Sequence, residues 1–194
     1  MSAQIETLSN GLTIIVEEIP HAESVAFDLS IPGGIVLDRP ELVGLSLILP
    51  ELTSRGAGGL TAHQLSEAFD ICGIRHSESG GHDRFTYRAT LLSSHLAEAL
   101  RLMSLMIRNP DFPEGDVANI KSLLLQDIAS LADNPARRCM VELGKRYYPP
   151  PFNRPSMGEE QGIGGVSLSE LRSDWKARFA PHGSILSVAG KCKQ

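Results

Sequence analysis

The chain lacks most of the features that announce a function at once. Only three cysteines occur, Cys72, Cys139 and Cys192, and none is in Cys-x-x-Cys spacing. A disulfide framework and a cysteine zinc site are therefore not indicated, and reduced thiols are expected. No apolar run approaches the roughly 20 residues that span a bilayer, and no membrane partner is expected. Lys and Arg are outnumbered by Asp and Glu, 18 to 23, giving a net charge of -5 without a basic cluster. That excludes a nucleic-acid surface, which needs clustered cations. Met1 to Glu6 has neither the basic nor the apolar segment of a secretory signal, so the default expectation is a cytoplasmic location.

Chemical motifs are also scarce. The histidines, at 21, 63, 76, 82, 95 and 182, contain no pair at the i, i+4 spacing of a helical metal site. His76, His82 and Asp83 could form a loop site, but a polar loop between two strands is the favoured reading. Gly56-Ala57-Gly58-Gly59 and Gly162-Ile163-Gly164-Gly165 are followed by neither Lys-Ser nor Lys-Thr, so flexible turns are expected there in place of phosphate loops. No Gly-x-Ser-x-Gly elbow supports a serine hydrolase.

What is present is a chain of 194 residues, 42% hydrophobic and 21% charged, the composition of a globular protein and suited to one domain. Asn10-Gly11 precedes the β-branched run from Leu12 to Val16. From Val25 to Ile31, and again from Arg84 to Leu91, apolar and polar residues alternate, the period of a half-buried strand. A closing strand is expected from Ile185 to Ala189.

Helices fall between these strands. Thr61/Gln64 and Ser167/Glu170 are capping boxes, each opening a helix. The first carries Leu65, Phe69 and Cys72, the second Leu168, Leu171 and Trp175. Leu96, Leu100, Met103 and Ile107 mark a helix over 95–107. Val117, Ile120, Leu124, Ile128 and Leu131 mark another, closed by Asp133-Asn134-Pro135. A further helix is expected over 137–148, before Pro149-Pro150-Pro151. Amphipathic strands interspersed with helices predict an α+β fold, an antiparallel sheet with helices packed on one face.

The run from Gly44 to Gly56 carries the strongest signal. It reads Gly-Leu-Ser-Leu-Ile-Leu-Pro-Glu-Leu-Thr-Ser-Arg-Gly. It resembles the active-site helix of the insulinase/pitrilysin zinc peptidases, which include the mitochondrial processing peptidases. There the pattern is Gly-Leu-x-His-x-x-Glu-His, ending in a basic residue and Gly. Five further stretches resemble the family in the right order: Leu8 to Leu12, Pro32-Gly33-Gly34, Asn109 to Phe112, Tyr148 to Gly158, and Ser187 to Gly190.

On that resemblance residues 1–194 form the N-terminal of the family's two similar domains. The two zinc-binding His positions are Leu47 and Glu51, and the general-base position is Pro50. At the family's usual offset for the third ligand stands Asp127. Leu47 has no lone pair and Pro50 has no carboxylate, so neither a catalytic residue nor a zinc site is expected. Zinc, the family cofactor, is not expected to bind. Proline inside a helix predicts a kink or restart near Leu49.

The resemblance implies a catalytically inactive homologue. It would be a non-catalytic partner of an active peptidase subunit, or a homo-oligomer, helping to hold an extended peptide. The alternatives are a metalloendopeptidase whose site combines Glu51, Asp127 and a displaced histidine, and a truncated fragment of a two-domain peptidase. A missing second domain would leave a large apolar surface needing a partner.

Overall fold

A computed structural model describes residues 3–192. In chain order it contains β1 (Gln4–Thr7), β2 (Thr13–Glu18), β3 (Ser24–Pro32), α1 (Leu45–Thr53), β4 (Gly56–Ala57), β5 (Leu60–Thr61), α2 (Ala62–Ile71), β6 (Arg75–Gly80) and β7 (Arg84–Leu92). Then follow α3 (Leu96–Arg108), α4 (Glu114–Ala129), α5 (Pro135–Tyr147), α6 (Glu160–Gly165), α7 (Leu168–Arg178) and β8 (Ile185–Gly190).

The six long strands form one sheet in the order β1-β2-β8-β3-β7-β6, and β4 pairs with β5 in a small ribbon. Alternation in β3 and β7 reads out as expected. Val25, Phe27 and Ile31 face the helices and are buried, as are Phe85, Tyr87, Ala89 and Leu91. Asp28 and Arg88 lie on the opposite face, paired at 2.6 Å. The fold is α+β with helices on one face. One strand pair departs from the antiparallel expectation: β2 and β8 are parallel, from Thr13 opposite Ile185 to Glu18 opposite Gly190. The short connection from Glu18 to Ser24 reverses the chain between β2 and β3, so β8, inserted between them and antiparallel to β3, runs with β2.

Both capping boxes form with reciprocal bonds, at Thr61/Gln64 and at Ser167/Glu170. Three expectations need correction. The polar segment around His76 is strand β6, not a loop. Its residues alternate between exposed and half-buried, although its hydropathy does not. β6 forms because the free edge of β7 offers it a ladder and α1 and α2 cover its inner face. Gly162 to Gly165 belongs to helix α6, with Gly162 and Ile163 buried, not to a flexible turn. Finally, α1 runs from Leu45 to Thr53 straight through Pro50, with no restart.

Pro50 has no N–H to give to the carbonyl of Ser46, four residues earlier. That carbonyl lies against Gly80 of β6, where a β-carbon would overlap it. Glycine on the edge strand lets the helix rest directly on the sheet.

In α3 the buried stripe is Ala99, Leu102, Met103 and Met106, rotated from the expected one. Leu96, Leu100 and Ile107 pack at its margin. By contrast α5 buries no residue at all. Met140, Leu143 and Tyr147 are more than half exposed, as are Tyr148 and Phe152 beyond it. Among the described residues no helix is long and apolar enough to cross a membrane.

Candidate functional site

Helix α1 has two faces of different character. Leu45, Ile48, Leu49 and Leu52 enter the core and are essentially inaccessible to solvent. Leu47 and Glu51, one turn apart, share a face and are half-buried. On the resemblance to the family, these are the positions expected to stand in place of its two imidazoles.

Neither can serve as an imidazole does. Leu47 offers only hydrocarbon. The Glu51 carboxylate accepts from Arg55 Nη2 at 2.6 Å, one helical turn on. Pro50 is buried, and its carbonyl accepts from Thr53 Oγ1 at 2.6 Å. Thr53 Oγ1 is in turn 3.2 Å from the hydroxyl of buried Tyr87. Burial drives the Tyr87 phenol far above its ordinary pKa, so this hydroxyl is a structural hydrogen-bonding group and not an acid or base.

Asp127, in α4, is also occupied. Arg137 Nη1 and Nη2 donate to its two carboxylate oxygens at 2.8 and 2.7 Å, the bidentate fork that suits a guanidinium. These hydrogen bonds hold the Asp127 carboxyl below its ordinary pKa. Each of the two carboxylates at a degenerate ligand position therefore has its own arginine. The donor set does not fit zinc, which takes three protein ligands at an open catalytic site, and a guanidinium fixed on a carboxylate competes with any cation for it.

The loop trio does not converge either. His76 lies on β6, 3.2 Å from Glu78 and 4.0 Å between ring centroids from Phe69. His82 lies in the following turn, and its Nε2 is 3.1 Å from the carbonyl oxygen of Phe152. Among the described residues, no group of three or more His, Cys, Asp or Glu is placed to hold a metal ion.

The first turn of α1 is organised by Asp38, whose side chain is fully buried. Its Oδ2 accepts from the backbone N–H of Gly44 at 2.9 Å and of Ser46 at 3.3 Å. Its Oδ1 accepts from the Ser46 hydroxyl and, at 3.1 Å, from Arg178 Nη1. Thus a distant carboxylate caps the helix, and the same carboxylate ties it to α7. Arg178 also donates to the carbonyls of Gly34 and Leu37, and its Nε lies 2.9 Å from Asp174 Oδ2. Burial raises the Asp174 pKa against the lowering influence of Arg178.

The sequence reading missed Asp38, Arg55, Arg137 and Arg178. The Glu51/Arg55 pair was visible in principle as an i, i+4 spacing. Arg137 is ten residues from Asp127 across a turn, and Asp38 lies far from Arg178 in sequence, so neither pairing leaves a local signal.

The edge of the sheet beside α1 is strand β6, whose outer N–H and C=O groups have no strand partner among the described residues. Helix α1 packs on this edge strand to form a ledge, with the Leu47 backbone against Gly80.

Comparison with known proteins finds relatives along nearly the whole chain. An "Uncharacterized zinc protease" of Rickettsia felis is 29% identical over 187 residues, covering 96% of this chain and 45% of the relative. The probable mitochondrial-processing peptidase subunit alpha-1 of Arabidopsis thaliana is 22% identical over 187 residues, covering 96% of this chain and 37% of its own. A crystal structure described as a peptidase M16 inactive domain, from Pseudomonas fluorescens, shares the fold. Its TM-score is 0.93 at 20% identity, over 100% of this chain and 47% of that one. The chain therefore spans about half the length, or less, of the proteins it matches. The model of "Insulinase (Peptidase family M16)" matches residues 13–148, well over half of the chain, and the chain belongs to that family.

Proposed function

We propose that this chain is a catalytically inactive insulinase-family unit that binds no zinc, pairs with an active peptidase unit and helps to hold an extended peptide. The observation that carries the reading is the chemistry at positions 47, 50, 51 and 127. Metal-assisted hydrolysis needs ligands that leave one coordination position open and a base to take a proton from the bound water. Hydrocarbon at Leu47 and a pyrrolidine ring at Pro50 supply neither. Glu51 and Asp127 are each neutralised by an arginine.

The peptide-holding part is supported by the ledge of α1 and β6. An exposed strand edge next to a helix takes up an extended chain by main-chain hydrogen bonding. Pairing is supported by size and surface. The chain covers 45% of its bacterial relative, some relatives are named as alpha and beta subunits of one processing peptidase, and α5 leaves its apolar side chains uncovered. If residues 1–194 are one part of a longer protein, the same pairing is made within that protein. The partner would carry the intact His-x-x-Glu-His.

No specific observation favours a metal site built from Glu51, Asp127 and a displaced histidine, because both carboxylates are engaged and no third ligand is grouped with them. The test is metal analysis of the purified chain, with peptidase assays alone and after co-expression with an intact family peptidase. Substoichiometric metal, no turnover alone, and co-elution with the peptidase are expected. Stoichiometric zinc with chelator-sensitive turnover, restored by adding zinc back, refutes the reading.

A further inference from the structure

A groove of about 580 Å³ lies between α5 and the loop running from Tyr148 to Met157. It adjoins the degenerate site, because Arg137, the partner of Asp127, is one of its lining residues. The chain as a whole is acidic, yet no Asp or Glu lines this groove. Its charged residues are Arg137, Lys145 and Arg154. Arg137 is compensated by Asp127 and Lys145 by Glu142, at 2.7 and 3.0 Å. Arg154 has no carboxylate within 4.0 Å among the described residues; its Nη1 donates to the carbonyls of Ile35, Val36 and Asp38 at 2.6 to 2.8 Å.

Those three bonds fix the guanidinium and the loop that carries it. A second tether joins the same loop to the sheet, between His82 and the Phe152 carbonyl. The wall is therefore built in advance of any ligand, which lowers the ordering cost of binding. Met140, Tyr148 and Phe152 add apolar surface, each more than half exposed. Mixed apolar walls with a few fixed polar groups are what a ligand pocket needs.

We infer that this groove binds a segment of the extended peptide in which an acidic residue adjoins bulky apolar ones, the carboxylate meeting Arg154 and Lys145. This rests on the peptide-holding reading above and adds to it a preference for anionic, apolar sequence. Charge complementarity selects the occupant: a basic segment would meet the Arg154 guanidinium, which no carboxylate compensates among the described residues, and like charges brought together are disfavoured.

The test uses fluorescence polarisation with labelled Gly-Ser-Asp-Phe-Leu-Glu-Gly-Ser, a version with Lys for both acids, and a version with Ser for Phe and Leu. The acidic apolar peptide is expected to bind about tenfold more tightly than the lysine version, with the difference shrinking in high salt. Lys145→Glu, at an exposed position, is expected to weaken it about fivefold without moving the unfolding midpoint. Arg154→Lys tests the fixed guanidinium and is expected to weaken the same peptide while sparing the lysine version. Equal affinity for acidic and basic peptides, or an unchanged affinity in Lys145→Glu, overturns the inference. So does a concentration-dependent dimer that Met140→Glu dissociates, with no peptide bound, since a second copy would then be the occupant. These readouts do not involve metal or turnover, so the groove can fail while the inactive-unit reading stands, and the reverse.

Discussion

Replacing Asp38 by Ala tests whether the degenerate site is held together by a buried ion pair. The side chain is inaccessible to solvent and Arg178 is 10% exposed. In Asp38→Ala, the Gly44 and Ser46 N–H groups lose their acceptor and the Arg178 guanidinium keeps Asp174 as its remaining carboxylate, beside the Gly34 and Leu37 carbonyls and the Ser46 hydroxyl. Removing one partner of a buried pair costs about 3–5 kcal/mol. Orphaned helix N–H groups contribute within that range, since loss of an N-cap alone costs about 1 kcal/mol. For a chain of this size about 1 kcal/mol moves Tm by about 2–4 °C, so a fall on the order of 10 °C is expected in calorimetry. Asp38→Asn retains an acceptor for the helix and loses the charge, so it should fall between the two. Because the single variant risks unfolding, the decisive measurement is the double-mutant cycle with Arg178→Met in urea. A coupling energy of about 1–3 kcal/mol is expected for groups in one network. A loss below about 1 kcal/mol in Asp38→Ala, or a coupling near zero, refutes the reasoning.

Other expectations follow from the same contacts. Gly80→Ala puts a methyl group onto the Ser46 carbonyl and should destabilise by about 1–3 kcal/mol, as overpacking does; urea titration checks it, and a neutral result would mean α1 does not rest on β6. Arg137→Ala should return the Asp127 titration, followed by carbon-detected NMR, toward its ordinary value from below. The Asp127 pair stabilises the fold above the unfolded carboxyl value and loses that effect as pH falls through the depressed native value, so the variant should flatten that acid limb. Asp174 has the opposite sign: its raised native pKa makes stability fall as pH rises from about 3.8 through the native value, a slope that Asp174→Asn should remove. Restoring the motif with Leu47→His, Pro50→Glu and Glu51→His should yield weak zinc binding that strengthens when Arg137→Ala is added, because Asp127 is then freed; mass-spectrometric metal analysis decides.

What could be read from sequence was what local geometry determines. Thr61/Gln64 and Ser167/Glu170 announce helix starts because both partners of each cap are three residues apart. β3 and β7 announce themselves because one face is apolar. β6 does not, since Arg75 to Gly80 supplies no apolar side chain and becomes a strand only where β7 offers an edge. The α3 stripe was misphased because Leu100, Leu105 and Ile107 leave apolar residues on more than one face, and small Ala99 marks the true contact. At the candidate site, the identities of Leu47, Pro50 and Glu51 were legible in the sequence. The arginines that took over the two carboxylates were not, because a salt bridge across a turn has no period.

The pairings also bear on how α1, which carries Glu51 and packs against α4, the helix of Asp127, keeps its position. A cation held by both helices would offset the negative charge of Glu51 and Asp127 jointly. Here the charge is offset on each helix separately, Glu51 by Arg55 within the α1 segment and Asp127 by Arg137 from α5. Neither pair crosses from α1 to α4, so the clamp between helices has to come from elsewhere. It is supplied at the other end of α1, where Asp38 holds the first turn and Arg178 holds Asp38 against α7. The exposed pairs on Glu51 and Asp127 are worth little to stability in water, whereas the Asp38 pair is buried. The anchoring of α1 is thus independent of Glu51 and Asp127, and Pro50 leaves the Ser46 carbonyl, which lies against Gly80, without a donor from its own helix.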